Sequence, residues 1–305
     1  MMVKLISFMI KIIGIPSVLG CNTLGCNLAP QALRDSNLLK AFLLSNIDVD
    51  DLGDLIVSNT LSKSKAKAKN LDKVIQLTDK TINYLCARVK DNDKVLSIGG
   101  DHSIAISTIF TSTNRFDDSF VLWIDAHADS NSPETSPSGN IHGMPVSTVL
   151  GDSLFNNFSQ KSLNKNNIVL LGIKDVDAAE WEYIKNNNIT VYTIEDIVEK
   201  GIGTIWKEIK EKIGNRPLHV SLDIDGLDNG IAPGTGIINR GGINYREIKY
   251  IAKECCKQNL IALDVTEINP RNDINNKTLE LAVELILDFF GGKWTEYEKY
   301  LATQS

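Results

Sequence analysis

Short apolar runs rich in Ile, Val and Leu alternate with longer amphipathic segments along most of the chain. The apolar runs predict strands at residues 4–15, 95–98, 120–125, 168–172, 190–193, 219–223 and 260–267. The amphipathic segments predict helices at residues 31–44, 66–89, 103–111, 178–186, 202–213, 245–257 and 279–290. Near-continuous hydrophobicity is typical of parallel strands covered on both faces. The alternation therefore predicts an α/β fold, a three-layer αβα sandwich with a mostly parallel central sheet.

The overall composition is ordinary for a soluble globular protein, with 43% hydrophobic and 23% charged residues. A chain of 305 residues forms either one large α/β domain or two ordinary ones. Because no Pro/Ser/Gly-rich linker divides it, we expect a single domain over residues 1–305. The net charge of −6 argues against a protein that binds nucleic acid through phosphate contacts.

The N-terminal run and the cysteines bear on the cellular compartment. The run MMVKLISFMIKIIGI is too short and too charged to span a membrane, and no conventional signal-peptide cleavage site follows it. The five cysteines are odd in number and form no CxxC pair, unlike a disulfide framework or a zinc ribbon. We therefore expect reduced thiols in a cytoplasmic protein with no membrane partner.

Acidic and imidazole side chains follow four of the predicted strands. They are, in chain order, Asp101 and His102, then Asp125, His127 and Asp129, then Asp223 and Asp225, and finally Glu267. Side chains two positions apart on a strand share one face, so the Asp-x-His-x-Asp spacing points three of them the same way. Sites in open α/β sheets form at the carboxyl ends of the strands. The pattern predicts one polar site at this edge.

Two imidazoles and four carboxylates without a thiolate favour Mn²⁺, or Zn²⁺ and Co²⁺, over thiolate-binding metals. Four carboxylates around one divalent ion would repel each other strongly, whereas two metals that share bridging carboxylates accommodate them. Water held between two cations loses a proton near neutral pH, which supplies a hydroxide nucleophile. The alternative is a set of solvated acids that cap the strand ends, but buried like charges require a compensating cation.

Two further histidines invite different interpretations. His142 lies in the polar segment SGNIHG, and the ordinary pKa of imidazole suits a proton shuttle or general acid. An ordinary loop histidine is the alternative at this position. His219 precedes a buried strand, and we expect it to satisfy hydrogen bonds in the core or behind the metal site.

Four sequence blocks carry a family resemblance: GGDHS at residues 99–103, DAHAD at 125–129, SGNIHG at 138–143 and SLDIDGLD at 221–228. In this order they resemble the signature blocks of an arginase of the ureohydrolase superfamily. The resemblance extends from IIGIP at residues 12–16 to EINP at residues 267–270. It implies an arginase-like fold, a homo-oligomer with a trimer favoured over a hexamer, and two Mn²⁺ ions.

The resemblance also implies the ligand sets. One Mn²⁺ would be held by His102, Asp125, Asp129 and Asp223, and the other by His127, Asp125, Asp223 and Asp225. The implied reaction is hydroxide attack on the guanidinium carbon of L-arginine, followed by release of urea and L-ornithine. His142 resembles the proton-transfer histidine, and Glu267 the carboxylate that pairs with the guanidinium. Asp129 would also orient the hydroxide.

The same resemblance implies contacts to the amino-acid end of the substrate. The α-carboxylate would contact Asn131, Ser136 and Ser138, with Asn140 of the same loop also near the substrate. Asp177 and Glu180 resemble the acids that receive the α-amino group; alternatively, they are acids near the positive end of a helix dipole. Together these contacts favour L-arginine over agmatine, which lacks the carboxylate.

One departure from the family lies close to the expected reaction centre. After DIDGLD the family usually reads TGT followed by Pro, whereas this chain reads TGII at residues 235–238. Ile237 therefore removes a hydroxyl beside the guanidinium-pairing Glu267. Two other functions remain open: an agmatinase or guanidino-acid hydrolase, and an arginase-like binding protein with weakened catalysis.

Overall fold

The computed structural model describes residues 8–154, 160–295, 299–300 and 303. Its strands are β1 (Ile10–Ile15), β2 (Val49–Asp54), β3 (Lys94–Gly99), β4 (Phe120–Ile124), β5 (Ile168–Ile173), β6 (Thr190–Thr193), β7 (Leu218–Asp223) and β8 (Leu260–Thr266). They form one sheet in the order β2-β1-β3-β8-β7-β4-β5-β6. Every neighbouring pair in this sheet is parallel.

Helices surround the sheet and close two apolar layers. They are α1 (Ala29–Asp35), α2 (Leu38–Leu44), α3 (Leu71–Cys86), α4 (Ala105–Arg115), α5 (Pro145–Val149), α6 (Ala178–Asn186), α7 (Ile194–Lys200), α8 (Ile202–Ile213), α9 (Tyr245–Cys256) and α10 (Lys277–Phe290). Alternate residues of β4 enter different cores: Leu122 packs in the core that includes α8, α9 and α10, and Trp123 in the core that includes α3, α4 and α6. Period-two alternation in a fully buried strand requires cover on both faces. The predicted αβα sandwich is confirmed.

Strand β2 has no counterpart in the sequence prediction because its sequence, VDDLGD, is mostly polar. It pairs with β1 at the edge of the sheet. Arg34 of α1 contacts Asp51 at 2.7 Å, and Lys11 of β1 contacts Asp50 at 2.7 Å. Ion pairs to neighbouring elements thus hold a strand that lacks an apolar face.

The predicted helix over residues 31–44 is two helices, because Asn37 adopts a left-handed backbone with a φ of 66° between α1 and α2. The helix predicted over residues 66–89 is shorter at both ends, since α3 begins at Leu71 and ends at Cys86. Lys69 instead donates its backbone N–H to the Gly139 carbonyl at 2.8 Å and its Nζ to Asn140 Oδ1 at 3.0 Å. The segment packs against the polar loop that follows β4.

The predicted first strand spans residues 4–15, of which residues 4–7 lie outside the described part of the chain. Strand β1 occupies Ile10–Ile15 and is wholly buried between β2 and β3. Among the described helices, none combines the length and the apolar character that crossing a membrane requires.

His219 is a core residue, as expected from the sequence, and is fully buried on β7. Its Nε2 lies 2.8 Å from Asp264 Oδ2, and its Nδ1 lies 2.8 Å from Ser112 Oγ. Thr108 donates its hydroxyl to the same Asp264 oxygen at 2.6 Å. This network joins β7, β8 and α4 below the carboxyl edge of the sheet.

We expect His219→Ala to lower the free energy of unfolding by about 3 kcal/mol, because it leaves a buried carboxylate short of a donor and opens a cavity. Urea denaturation followed by circular dichroism measures the loss. The double variant His219→Ala/Asp264→Asn serves as the control and should recover part of it, since the uncompensated charge is gone. A loss below about 1 kcal/mol would contradict this role for the network.

Candidate metal centre and substrate cavity

The acidic and imidazole side chains predicted from the sequence meet at one edge of the sheet. Strands β3, β8, β7 and β4 are consecutive neighbours in the sheet, and each ends at this edge. The side chains that follow them are His102 after β3, Glu267 after β8, Asp223 and Asp225 at the end of β7, and Asp125, His127 and Asp129 after β4. The carboxyl ends of parallel strands therefore bring together groups that are far apart in sequence.

His102 forms the centre of the first ligand group. Its Nδ1 lies 3.0 Å from Asp125 Oδ2, 3.1 Å from Asp223 Oδ2 and 3.3 Å from Asp129 Oδ2. All four residues are buried, with His102 1% and Asp125 0% exposed. One imidazole nitrogen thus faces carboxylate oxygens from three residues on two strands.

His127 forms the centre of the second group. Its Nδ1 lies 3.3 Å from Asp125 Oδ1 and 3.4 Å from Asp225 Oδ2. Asp125 therefore turns one oxygen toward each histidine. Among the described residues, the sets His102/Asp125/Asp129 and Asp125/His127/Asp225 each have potential ligand atoms within 4.8 Å of one another.

The residues fit a pair of divalent cations. Asp225 Oδ1 is buried and has no hydrogen-bond partner among the described residues. Buried polar atoms in folded proteins normally have a partner, and a cation would provide one. The donor set consists of imidazole nitrogens and carboxylate oxygens, which suit hard or intermediate divalent ions.

The electrostatics of the site likewise call for positive charge. Burial and the neighbouring Asp125 raise the pKa of Asp225 to about 7. Burial also favours the neutral form of Asp125, but hydrogen bonds from His102 and His127 outweigh it and hold the pKa of Asp125 below its usual range. Conversely, these carboxylates raise the pKa of both histidines despite burial. The site is stable only with protons or cations among its acids.

Two residues that the sequence analysis did not single out orient the first group. Trp123 stacks on His102 with ring centroids 3.9 Å apart and donates its Nε1–H to Asp125 Oδ2 at 3.1 Å. The Ser221 hydroxyl lies 2.9 Å from Nε2 of His102. The period-two alternation that predicted the ligands also marks these positions, because each precedes a site aspartate by two residues on its strand.

Two site carboxylates lie on strained backbone. Nine described non-glycine residues have a positive φ, and seven of them are asparagines, which tolerate this conformation. The two others are Asp129, with a φ of 48°, and Glu267, with a φ of 59°. Left-handed backbone at such residues costs roughly 1–3 kcal/mol and is concentrated at functional sites.

His142 and Glu267 form a pair above the ligand groups. His142 Nδ1 lies 2.9 Å from Glu267 Oε1, which also accepts the backbone N–H of His102 at 3.0 Å. Burial lowers the pKa of His142, but Glu267 more than compensates and raises it to about 10. The imidazole is therefore charged near neutral pH in the structure as it stands.

A cavity of about 220 Å³ opens over both groups. It is lined by His127, Asp129, Asn131, His142, Gly143, Asp175, Asp177, Glu180, Asp223, Asp225, Ile237 and Glu267. Asp177 caps α6 and forms a capping box with Glu180. These two acids therefore also stabilise the start of a helix, which was the alternative interpretation of their positions. Burial is the main reason that the pKa of Glu180 rises to about 7.

Asn131, Asp177 and Glu180 line this cavity, as the sequence predicted for substrate contacts. The other three predicted contacts do not line it: Ser136, Ser138 and Asn140. The Ser136 hydroxyl accepts the Gly139 N–H at 3.0 Å, and the Ser138 hydroxyl accepts the Asn140 N–H at 3.1 Å. Asn140 donates its Nδ2 to the Cys21 carbonyl at 3.2 Å. In this structure the two serines form turns of the loop, whereas Asn140 joins the loop to Cys21 and Lys69.

Three remaining residues complete the description of the site. Ile237 is 43% exposed and lines the cavity near His142 and Glu267, so the departure from the family pattern does lie at the site. The nearby Thr235 hydroxyl is buried instead. Asp101 is fully buried and accepts the backbone N–H groups of Gly20 and Ser103, which explains its position without metal binding.

An αβα sandwich that carries paired His/Asp groups at the carboxyl edge of its sheet has the arrangement of a metal-dependent hydrolase. The Arginase family profile matches residues 8–291. An arginase from Staphylococcus aureus (strain MRSA252) is 38% identical over 293 residues, covering 92% of this chain and 97% of its own. The chain belongs to the arginase family.

Solved structures agree with this assignment. A Bacillus cereus arginase superposes with a TM-score of 0.88 and 31% identity, covering 94% of this chain and 100% of its own. An Entamoeba histolytica arginase in complex with L-ornithine has a TM-score of 0.87 and 27% identity, covering 93% and 99%. The predicted family resemblance is confirmed over most of the chain.

Proposed function

We propose that this protein hydrolyses L-arginine to L-ornithine and urea with two Mn²⁺ ions. The observation that supports this most is that Asp125 faces both histidine-centred groups. Other members of these groups line a cavity whose wall also includes Asn131, Asp177 and Glu180. The family relatives are named arginases, and one of them is seen with L-ornithine, the product of this reaction.

The two groups support the ligand sets that the family resemblance implies. His102, Asp125, Asp129 and Asp223 would hold one ion. His127, Asp125 and Asp225 would hold the other, and the resemblance adds Asp223 to this second set. The thiolate-free donor sets suit Mn²⁺, or Zn²⁺ and Co²⁺, and the family resemblance favours Mn²⁺ among them. When bound, the ions would lower the pKa of water and stabilise negative charge that develops during hydrolysis.

The residues around the groups have separate tasks in this proposal. Glu267 faces the cavity and would accept hydrogen bonds from the substrate guanidinium. Asp129 would accept a hydrogen bond from the attacking water and so orient it. His142 carries a proton beside Glu267, and it would donate that proton to the departing δ-amino group of ornithine.

The amino-acid end of arginine would lie at the outer part of the cavity. Asn131 is 7% exposed and donates its amide to Asp177 Oδ2 at 2.9 Å, which fixes its orientation. Asp177 and Glu180 would receive the α-amino group, and its positive charge would favour the ionised form of Glu180. Asn131 would receive the α-carboxylate, with Ser136, Ser138 and Asn140 contributing after the loop turns toward the substrate.

The direct test is turnover of purified, Mn²⁺-loaded protein. We expect equimolar urea and ornithine from L-arginine, with kcat/KM well above the values for agmatine, guanidinobutyrate and formiminoglutamate. Elemental analysis must confirm the metal content of the sample. Absence of ornithine from a fully loaded sample would refute the proposal, and preference for another substrate would favour the agmatinase or guanidino-acid hydrolase alternative.

A substitution of Asn131 separates arginine from agmatine. We expect Asn131→Ala to lower kcat/KM for arginine by roughly 10- to 100-fold, because a hydrogen bond to a charged group contributes about 1.5–3 kcal/mol. Agmatine, which has no carboxylate, should be affected much less. Asn166→Ala is the matched control, since this exposed asparagine does not line the cavity and should leave arginine turnover unchanged. Unchanged arginine turnover in both Asn131→Ala and Ser138→Ala would argue for a substrate without an α-carboxylate.

Three further properties belong to this proposal. The five cysteines are free, which supports a reducing, cytoplasmic environment. The family resemblance supports a homo-oligomer, a trimer before a hexamer, built from one catalytic domain over residues 1–305. No nucleic-acid partner is proposed, because the net charge is −6.

A further inference from the structure

Two thiols lie close together in the segment between β1 and α1. The Sγ atoms of Cys21 and Cys26 are 3.9 Å apart, and the side chains are 8% and 4% exposed respectively. Cys21 Sγ also lies 3.2 Å from the Thr23 carbonyl oxygen. Bonded sulfurs are about 2.05 Å apart, so a movement of roughly 1 Å by each sulfur would join them.

The pair lies in the wall of a second cavity, of about 180 Å³, which adjoins the metal-side cavity. Its lining includes both cysteines together with Leu24, and it shares His142, Ile237 and Glu267 with the larger cavity. Small reagents that enter beside Glu267 therefore have a route to both sulfurs. Among the other described thiols, Cys86 is exposed, and Cys255 and Cys256 are consecutive residues at the end of α9, where neighbouring side chains do not face each other.

The segment between β1 and α1 contacts the loop that carries His142. The Cys21 carbonyl accepts the amide of Asn140, which lies two residues before His142. Gly25 packs so closely on Asn269 that a Cβ at this glycine would lie 2.3 Å from the Asn269 amide nitrogen. A contraction between the cysteines would therefore displace groups on both sides of the smaller cavity.

We propose that Cys21 and Cys26 are an oxidation site, and that their closure into an intrachain disulfide lowers kcat/KM for arginine. The effect on turnover rests on the proposed function, whereas the formation of the bond does not. A displacement of about 1 Å near a reacting group can reduce the rate by up to 100-fold, so we expect a decrease of at least about tenfold.

The oxidant is a low-molecular-weight disulfide, which accepts two electrons and two protons from the protein. The more exposed Cys21 attacks one sulfur of the reagent as thiolate, and one thiol leaves after protonation. Cys26 then attacks the Cys21 sulfur of the mixed disulfide, and the second reagent thiol leaves. The protein loses two electrons and two protons, which the reagent gains as two free thiols.

The test uses the Mn²⁺-loaded full-length protein, treated with oxidised glutathione and then cleared of reagent. Intact-mass and peptide mapping should find that the tryptic peptide of residues 12–34, which contains both cysteines, has lost two hydrogens. The same samples are assayed for urea release before oxidation, after oxidation and after dithiothreitol. We expect kcat/KM to fall on oxidation and to return on reduction.

Three variants make the test decisive, each compared with its own reduced form. Cys86→Ser, which removes the exposed thiol, should remain sensitive to oxidation, whereas Cys21→Ser should become insensitive. Cys26→Ser should retain the reagent as a mixed disulfide on Cys21, with no loss of two hydrogens in the peptide of residues 12–34. A peptide 12–34 that keeps both thiols while Cys86 is fully modified would overturn the proposal, and so would a disulfide that leaves kcat/KM unchanged. If the reduced protein releases no urea, the proposed function fails, and peptide mapping still decides whether the bond forms.

Discussion

Replacement of Asp125 with asparagine is expected to abolish measurable urea release and to lower the bound metal. Asp125 is the residue common to both ligand groups, with Oδ2 3.0 Å from His102 Nδ1 and Oδ1 3.3 Å from His127 Nδ1. An amide nitrogen in place of either oxygen donates where an acceptor is required. Loss of one partner from a buried charged group costs about 3–5 kcal/mol, which corresponds to roughly two to four orders of magnitude in rate or affinity.

Both consequences are measurable on the same preparation. Elemental analysis after dialysis gives the metal content, and steady-state assays with L-arginine give kcat/KM. Asp117→Asn is a matched control, because this 91% exposed carboxylate pairs with Lys161 on the surface and should change neither quantity. An Asp125→Asn variant that kept its metal and its turnover would refute the assignment of Asp125 as a shared ligand.

Without its metal, the protein is expected to lose stability as the pH rises. The folded state raises the pKa of Asp225 to about 7, so it retains a proton that the unfolded chain has already released. Stability from this group is therefore lost as pH rises from about 4 to 7. The pKa values of His102 and His127 are also raised, so their contribution is complete below about pH 6.5 and declines as pH rises further. The lowered pKa of Asp125 adds no slope in this range, because that group is ionised throughout.

The metal-free protein should thus have a Tm that falls between about pH 5 and pH 8, by roughly 5–10 °C if the groups together contribute several kcal/mol. Mn²⁺ should abolish this fall, because its ligands bind in deprotonated form and the gain from metal increases with pH. Differential scanning calorimetry with and without a chelator measures the difference. Asp225→Asn should flatten the metal-free profile, and a metal-free Tm that rises over this range would contradict the electrostatic account.

The αβα sandwich and the edge of the sheet that carries the site could be predicted from the sequence. Both predictions rest on short-range features, namely the apolar runs and the acidic and imidazole residues that follow them. Continuous apolar runs marked seven of the eight strands, whereas the polar β2 gave no such signal. The break at Asn37 was also missed, because a left-handed asparagine leaves no trace in apolar periodicity. The predicted helix over residues 66–89 included residues 66–70, but there Lys69 contacts the loop at Gly139 and Asn140 instead.

The types of metal ligand are a local property, but their convergence is not. Strand β4 ends at Ile124 and Asp129 has a φ of 48°, so the backbone after the strand, rather than strand alternation, brings His127 and Asp129 beside Asp125 and His102. The order β3-β8-β7-β4 is a long-range property, and it alone brings His102, Asp223 and Asp225 to the same point.

Long-range packing also accounts for what no spacing predicts: Asp125 turned toward both histidines, the turn contacts of Ser136 and Ser138, and the approach of Cys21 to Cys26. Side-chain periodicity follows from the geometry of a single strand. The neighbours of a strand end or a loop follow from the burial of the whole sheet, and that is settled only when distant segments pack together.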